Sequence, residues 1–99
     1  MPSCRSSGVL TASAVVSADR CKLISIHVQN TGAGASTTIR LFDNASAASG
    51  TELTRLIVDP AAAASPMEFD MHGVLCLNGL YLEISTGAGT GAAVSVEFA

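Results

Sequence analysis

His27 and His72 are the two imidazole side chains of this 99-residue chain, and both stand at polar positions of segments that alternate polar and apolar residues. An imidazole at such a position could bind a metal ion, act as a general base or change charge with pH. Asp70 precedes His72 by two residues, so on a strand both side chains would share a face and could form a carboxylate–imidazole pair. No serine stands out as a nucleophile beside them, so the sequence predicts no catalytic role for the pair.

Glu68 and Asp70 also share a face at this spacing. Paired carboxylates can perform general acid–base catalysis or bind a hard cation, but both tasks need a cleft or further converging oxygen atoms. Asp43, Asn44 and Ser46 cluster in the segment 43–50 (DNASAASG), which lacks the repeated Asp or Asn spacing of a calcium loop. We therefore interpret the carboxylates as a solvated strand face and the segment 43–50 as a turn.

The segment 87–92 (GAGTGA) fits the loose Gly-x-Gly-x-x-Ala pattern of dinucleotide-binding loops. That pattern binds a pyrophosphate only between a strand and a helix, because the helix N-terminus provides the amide groups. Here the pattern of a strand follows, so the segment is predicted to be a hairpin loop. The sequence thus predicts no catalytic, cofactor-binding or metal-binding residues, and we expect the protein not to be an enzyme.

The elements that would position these side chains are β-strands, because apolar residues recur at every second position. In 22–30 the apolar positions are Ile24, Ile26 and Val28, and similar alternation marks 37–44, 51–59, 66–73, 80–85 and 93–98. Phe42 breaks the alternation by joining the polar face. The apolar run at residues 56–58 predicts a strand end buried on both faces. A weaker strand is predicted at residues 9–16.

Gly, Asn, Asp and Pro residues punctuate these windows, and none of the windows shows a helical period. The punctuating segments are 30–36, 43–50, 59–66, 78–79 and 85–92. Pro60 and Pro66 bracket an alanine run that we expect to be a loop. Short strands joined by such turns predict an all-β fold, a single antiparallel β-sandwich of seven or eight strands. Jelly-roll-like and immunoglobulin-like strand orders both remain open at this stage.

The composition limits the possible partners. Charged residues make up 13% of the chain, and the five basic residues are scattered within a net charge of −3. Nucleic-acid binding is not expected, because it needs several phosphate contacts at once. The chain has neither an apolar stretch of about 18 residues nor the pattern of a signal peptide, so no membrane association is expected. Apolar residues at 48% exclude a disordered chain.

The length predicts one domain, which we divide into a flexible N-terminal arm at residues 1–7 and a sandwich at residues 8–99. The three cysteines are widely spaced, which disfavours a disulfide framework and a zinc knuckle. Cys21 and Cys76 are predicted to be small apolar residues of strands, whereas Cys4 lies in the arm. This pattern fits synthesis in a reducing, intracellular compartment.

Three segments taken in order resemble a group of small virion proteins of tailed bacteriophages. They are the turn at 28–32 (VQNTG), the hairpin at 41–51 (LFDNASAASGT) and the segment 78–98, which begins NGLY and continues through a glycine-rich turn into a last strand. The resemblance covers residues 8–99. Phe42 stands where tyrosine is common in the group, and the three cysteines and the N-terminal arm depart from its pattern.

The resemblance implies a β-sandwich module of the virus particle, made in the cytoplasm of the bacterial host. The implied role is a capsid decoration (cement) protein on the outer surface of the phage head, with the major capsid protein as partner. A homo-oligomer is implied, and a trimer is favoured because it matches local threefold axes of a capsid. Similar domains also occur in tails, head fibres and adsorption structures, which is the alternative placement in the virion.

Overall fold

The computed structural model describes residues 4–30, 36–58, 67–86 and 92–99 of the chain. These residues form eight strands and no helix. The strands are β1 (Arg5–Ser6), β2 (Ala14–Ser17), β3 (Cys21–Asn30), β4 (Thr37–Asp43), β5 (Thr51–Val58), β6 (Met67–Cys76), β7 (Leu80–Thr86) and β8 (Ala92–Phe98). The predicted loops at 31–35 and 59–66 lie outside the described residues.

The strands form two four-stranded antiparallel sheets, with the orders β1-β8-β3-β6 and β2-β7-β4-β5. The pairs are nested: β1 pairs with β8, β2 with β7, β3 with β6 and β4 with β5. This nesting arises when an antiparallel ribbon is folded at its midpoint and wrapped into two sheets, which is the jelly-roll arrangement. The predicted antiparallel β-sandwich is therefore confirmed, and its strand order is that of a jelly roll.

The core lies between the two sheets and is built from the apolar half of each alternating strand. Leu80 and Leu82 of β7 and Val94 and Val96 of β8 are fully buried, as the alternation of these windows predicts. Each fully buried aliphatic side chain contributes about 1.5–3 kcal/mol relative to an exposed one. The remaining core residues come mainly from the central strands: Cys21, Leu23, Ile26, Val28, Ile39, Leu41, Val58, Cys76 and Phe98.

A bulge in β3 changes the phase of its alternation. Leu23 pairs with Phe98 and Ser25 pairs with Glu97, so β3 has one extra residue, Ile24, relative to β8. The prediction that Ile24 shares the inward face with Ile26 was wrong, because the bulge makes Leu23 the buried residue and leaves Ile24 half-buried. Bulges are invisible to a period-two pattern, since both registers of this segment contain apolar residues.

Two further predictions were wrong because of the positions that their segments have in the two sheets. Ile57 was predicted to be buried, but it is 64% exposed, because it lies on the outer face of the second sheet, whereas its neighbour Val58 faces the core and is buried. The segment 87–92 was predicted to be a hairpin loop, but the flanking β7 and β8 belong to different sheets. The predicted strand at 9–16 is confined to β2, preceded by a single bridge between Leu10 and Val94.

The boundary predicted at residue 8 also differs from the structure. Arg5 and Ser6 form β1, which pairs with the end of β8, and the Ser7 amide donates to the Val96 carbonyl at 2.8 Å. The Arg5 guanidinium lies 4.6 Å from the centre of the Phe98 ring. Residues 5–7 therefore pair with β8 as part of the first sheet.

The hairpin between β4 and β5 is the one consecutive strand pair among the described strands, and it lies at the fold of the ribbon. Asn44 shapes its turn, since its side-chain oxygen accepts from the amides of Ser46 and Ala47 at 2.9 and 3.0 Å. Asp43 accepts from the Asn78 amide at 2.7 Å. Asp43, Asn44 and Ser46 are therefore turn residues, as predicted.

The neighbouring Gly79 has φ 147°, and a Cβ there would lie 2.7 Å from the Ser17 carbonyl oxygen and 2.8 Å from Ala45 Cα. Only glycine permits this close approach, because both obstructing atoms belong to the backbone. The hairpin at 41–51 and the turn at 78–79 are thereby held against each other.

Candidate functional site

Four polar side chains meet on the outer face of the first sheet, and we call them the histidine cluster: Ser25, His27, Glu68 and Glu97. His27 lies on the central strand β3 directly opposite Glu68 of β6. Its Nε2 atom is 3.6 Å from Glu68 Oε2 and 3.5 Å from Glu97 Oε1. Two carboxylates therefore converge on one ring nitrogen.

Ser25 holds the second carboxylate in place. Its hydroxyl donates to Glu97 Oε1 at 2.5 Å and lies 3.4 Å from His27 Nε2. The Ser25 hydrogen bond, followed by the contact with His27, lowers the pKa of Glu97 below its ordinary value of 4.5, while desolvation opposes both. The carboxylate of Glu97 is thus stabilised in its charged form.

The histidine cluster has the residue types of a hydrolase triad but not the geometry. In a triad the serine bonds to one ring nitrogen and the carboxylate to the other, so that the ring can carry the proton away. Here Ser25 and Glu97 both contact Nε2, and Ser25 donates to the carboxylate itself. Ser25 is also only 6% exposed. The arrangement orients charges and does not activate a nucleophile.

Asp70 and His72 lie close to each other, as the sequence suggested, but the hydrogen bond of Asp70 is with the backbone amide of His72. Asp70 Oδ1 accepts from the His72 amide at 2.8 Å and lies 3.5 Å from its Nδ1. His72 and Gly73 have φ 56° and 80°, so the chain turns sharply within β6, where the ladder with β3 shifts register. Both side chains are well exposed. Glu68 belongs to the histidine cluster instead of pairing with Asp70 as one site.

The outer face of the second sheet carries a different set, which we call the arginine network: Arg40, Glu52, Arg55 and Glu83. Arg40 lies on the central strand β4 opposite Glu83 of β7 and donates to it through Nε and a terminal nitrogen. The other terminal nitrogen of Arg40 is 3.4 Å from Glu52 Oε1. Two positive and two negative side chains therefore alternate across three strands.

Arg55 completes the network. It donates to both oxygens of Glu52, at 2.8 and 2.9 Å, which is the fork geometry that guanidinium groups form with carboxylates. The hydrogen bond from Arg55 is the main cause of the lowered pKa of Glu52, with smaller contributions from Arg40. Each carboxylate of this network has a permanent cation as its partner.

Phe42 lies beside the network on the same outer face. The Arg40 guanidinium is 5.1 Å from the centre of its ring, and the ring is buried although it does not belong to the core between the sheets. This placement confirms that Phe42 joins the polar face. Tyr81 is its neighbour on β7.

Two exposed apolar residues flank the second sheet. Val15 of β2 pairs with Tyr81 on one side, and Ile57 of β5 pairs with Thr38 on the other. Both are exposed apolar side chains at the edges of this outer face. The face therefore combines internally neutralised charges with apolar margins.

The described part of the chain contains neither a cluster of metal ligands nor a long apolar helix. No group of three or more His, Cys, Asp or Glu side chains among those residues is arranged to hold a metal ion. None of the described residues forms a helix with the length and apolar character of a membrane span. Residues 87–91 of the glycine-rich segment lie outside the described residues.

Sequence reasoning found His27 and Glu68 but missed their partners. Ser25, Glu97 and Arg40 occupy polar positions of alternating strands, and nothing in the sequence distinguishes them from the other polar positions. The available signal was the alternation itself, which assigns each side chain to a face. Bringing them together also requires the strand order, since β3 and β8 are far apart in the sequence.

Comparison of the chain with protein-family models found no match, and comparisons with curated proteins and with solved structures found none either.

Proposed function

We propose that this chain is a structural virion protein of a tailed bacteriophage, a decoration (cement) protein on the outer surface of the phage head. The proposal is supported by the sequence resemblance and by the fold, because viral capsid domains are among the proteins built as jelly rolls. Lectin domains and cupins share this architecture, so the fold alone does not select the function.

The observation that carries the proposal is the contact between two segments of the resemblance. The hairpin at 41–51 and the turn that begins the segment 78–98 meet through the Asn78–Asp43 hydrogen bond and the packing of Gly79 on Ala45. Asp43 of the hairpin and Gly79 of the turn are therefore both required by this one contact within the jelly roll. Because these residues act together in one contact, their presence in this chain and in the phage group indicates a shared fold. Three turns that did not touch each other would make a less specific resemblance.

The mechanism is binding without catalysis. A protein that binds the assembled coat better than free coat subunits stabilises the assembly by linkage. Contacts with two or three subunits at once strengthen this effect, because the second contact forms at a high effective concentration. A trimer on a local threefold axis provides such contacts, and the major capsid protein is the partner. The protein is made in the host cytoplasm and acts on the capsid surface.

The second sheet offers the outer face best suited to this contact. Its charges are already paired within the chain, so burial of the face demands no matching charge on the coat. Val15 and Ile57 provide apolar area at its margins. We propose that this face, and not the face with the histidine cluster, contacts the capsid.

Quantitative mass spectrometry of purified particles of the encoding phage tests the proposal. A decoration protein is expected in hundreds of copies per particle, at a fixed ratio to the major capsid protein. A dozen copies or fewer would contradict the cement role and favour the alternative placement in a tail, head fibre or adsorption structure. Absence from the particle would contradict both placements.

A reconstitution separates binding from stabilisation. Capsids stripped of the protein are incubated with the purified chain, and their thermal disruption is followed with and without it. A rise in the disruption temperature that saturates with occupancy is expected from linkage. Analytical ultracentrifugation of the free chain measures its oligomeric state, for which a trimer is expected.

A further inference from the structure

Two of the three cysteines face each other across the first sheet. Cys21 is the first residue of β3, Cys76 is the last residue of the edge strand β6, and the two are direct partners in the antiparallel ladder. Both are buried free thiols, whereas Cys4 is an exposed one. Sequence reasoning assigned Cys21 and Cys76 separately to strands and did not place them together.

The geometry of this pair is compatible with a covalent bond. Directly opposed residues of antiparallel strands have Cα atoms about 4.5–5.5 Å apart. Disulfides span Cα distances of about 4.4–6.8 Å, so no large backbone movement is required. Cys21 is near enough to the Cys76 thiol to raise its pKa, and the thiol itself donates to the Val74 carbonyl at 3.6 Å.

We propose that Cys21 and Cys76 form a cross-strand disulfide when the protein meets an oxidant, and that this bond fastens the edge strand β6 to β3. The pair is then an oxidation site built into the jelly roll. In the reduced state the thiols fill the core as small apolar groups, and in the oxidised state they close a loop of more than half the chain. This inference does not depend on the proposed function.

The oxidant is a low-molecular-weight disulfide, and the exchange proceeds in two steps. In the first, the Cys21 thiolate attacks one sulfur of the small disulfide, forms a mixed disulfide and releases one small thiol. In the second, the Cys76 thiolate attacks the Cys21 sulfur, forms the Cys21–Cys76 bond and releases the second small thiol. Two protein thiols are oxidised, and one small disulfide is reduced to two thiols.

The structure offers an approach for this reagent. A cavity of about 340 Å³ open to solvent is lined by Cys21, Leu75 and the basic residues Arg20 and Lys22. Their positive charges favour an anionic disulfide such as oxidised glutathione. Cys76 lies deeper in the core, so the first step is expected at Cys21.

The second step is expected to be slow at neutral pH. Burial, and next the neighbouring Cys21, raise the pKa of Cys76 to about 12. In the mixed disulfide Cys21 no longer carries a thiol, but burial, the larger cause, still raises the pKa of Cys76. Because the thiolate is the nucleophile, the rate of ring closure should rise about tenfold per pH unit below this raised pKa. A slow, pH-dependent closure distinguishes this pair from the exposed Cys4, which reacts in one step without closing a ring.

The test uses the full chain with the substitution Cys4→Ser, incubated with oxidised glutathione and then alkylated in denaturant. The expected product has lost two hydrogen atoms, resists alkylation and yields a peptide cross-linked between Cys21 and Cys76. Its Tm should exceed that of the reduced protein by on the order of 10 °C, reversibly on addition of dithiothreitol. The unsubstituted chain should show the same cross-link plus a glutathione adduct at Cys4.

Three results would overturn the proposal. In the first, Cys21 and Cys76 both remain open to alkylation after prolonged oxidation. In the second, stable glutathione adducts form on Cys21 or Cys76 without ring closure. In the third, the cross-link forms but the Tm does not rise. A double variant, Cys21→Val with Cys76→Val, controls for the reagent, since its Tm should not respond to oxidised glutathione.

Discussion

The outer faces of the two sheets carry polar groups of the same size that differ in the side chain at their centre. Each has four members, and in each a central strand provides the residue that two carboxylates approach. In the arginine network this residue is Arg40, a permanent cation. In the histidine cluster it is His27, whose ring attracts both carboxylates as a cation only when protonated.

Burial separates the two groups further. The side chains of Arg40 and Glu83 are 31% and 22% exposed, whereas those of His27 and Glu68 are 40% and 68% exposed. Water screens an exposed pair strongly, so its contribution to stability is small, and a half-buried pair is screened less. Arg40 is therefore a structural part of the second sheet, whereas in the histidine cluster Ser25 holds Glu97 firmly and the contacts of His27 with its carboxylates are more exposed.

The first prediction exchanges the central residue of each face. Arg40→Met should lower the free energy of unfolding by about 2 kcal/mol, because Glu83 loses its partner and Phe42 loses the guanidinium that covers its ring. His27→Gln should shift the Tm by less than about 4 °C at neutral pH, since exposed pairs contribute little. Urea and thermal unfolding measure both quantities.

Arg55→Met is the matched control within the arginine network, because Arg55 is the more exposed of its two cations. It should destabilise the protein clearly less than Arg40→Met. Equal effects of the Arg40 and His27 substitutions would remove the distinction between the two faces.

The second prediction concerns binding and depends on the proposed function. Ile57→Lys places a charge at the apolar margin of the second sheet and should reduce capsid occupancy at least about tenfold, since a buried unpaired charge is costly at an interface. Ser95→Lys places the same charge on the outer face of the first sheet and should leave occupancy within about twofold. Binding of each variant to stripped capsids at fixed salt measures this difference.

A greater loss with Ser95→Lys would assign the contact to the first sheet while leaving the decoration role intact. Equal and full binding by both variants would show that neither outer face is used. Circular dichroism of each variant establishes that a loss of binding does not reflect unfolding.

The faces themselves could be predicted from the sequence better than their partners could. Strict alternation in β7 and β8 assigns Glu83 and Glu97 to outer faces without knowledge of the fold. That Glu83 meets Arg40 and Glu97 meets Ser25 depends on strand order, which local patterns do not contain. Nested pairing brings the first and last strands together, and no short-range signal predicts such a contact.

The errors have a common physical origin in sheet faces and bulges. Ile57 was expected to be buried because its neighbours are apolar, but the exposure of a residue depends on what covers its strand. Ile24 was assigned to the wrong face because one extra residue reverses the alternation. The turn residues Asp43 and Asn44 were predicted correctly, because their side chains act on amides close by in the sequence or at an adjoining turn.

The last prediction has the smallest expected effect and is confined to acid. The pKa of Glu97 is lowered in the folded protein, first by Ser25, so the folded state binds this proton less readily than the unfolded state. The resulting stability is present above the ordinary pKa of 4.5 and is lost as the pH falls through the lowered value. Ser25→Ala should bring the pKa of Glu97 back toward 4.5 and make the loss of stability on acidification shallower.

Arg55→Gln is the corresponding change on the other face, because the Arg55 hydrogen bond is the main cause of the lowered pKa of Glu52. Glu97 and Glu52 lie on opposite outer faces, so the effects of the two substitutions on the loss of stability in acid should add in the double variant. Urea unfolding at a series of pH values below about 6 measures how the free energy of unfolding of each variant falls with pH. If the double variant loses stability on acidification no differently from either single variant, the two faces are coupled through the core. The comparison between the faces would then fail.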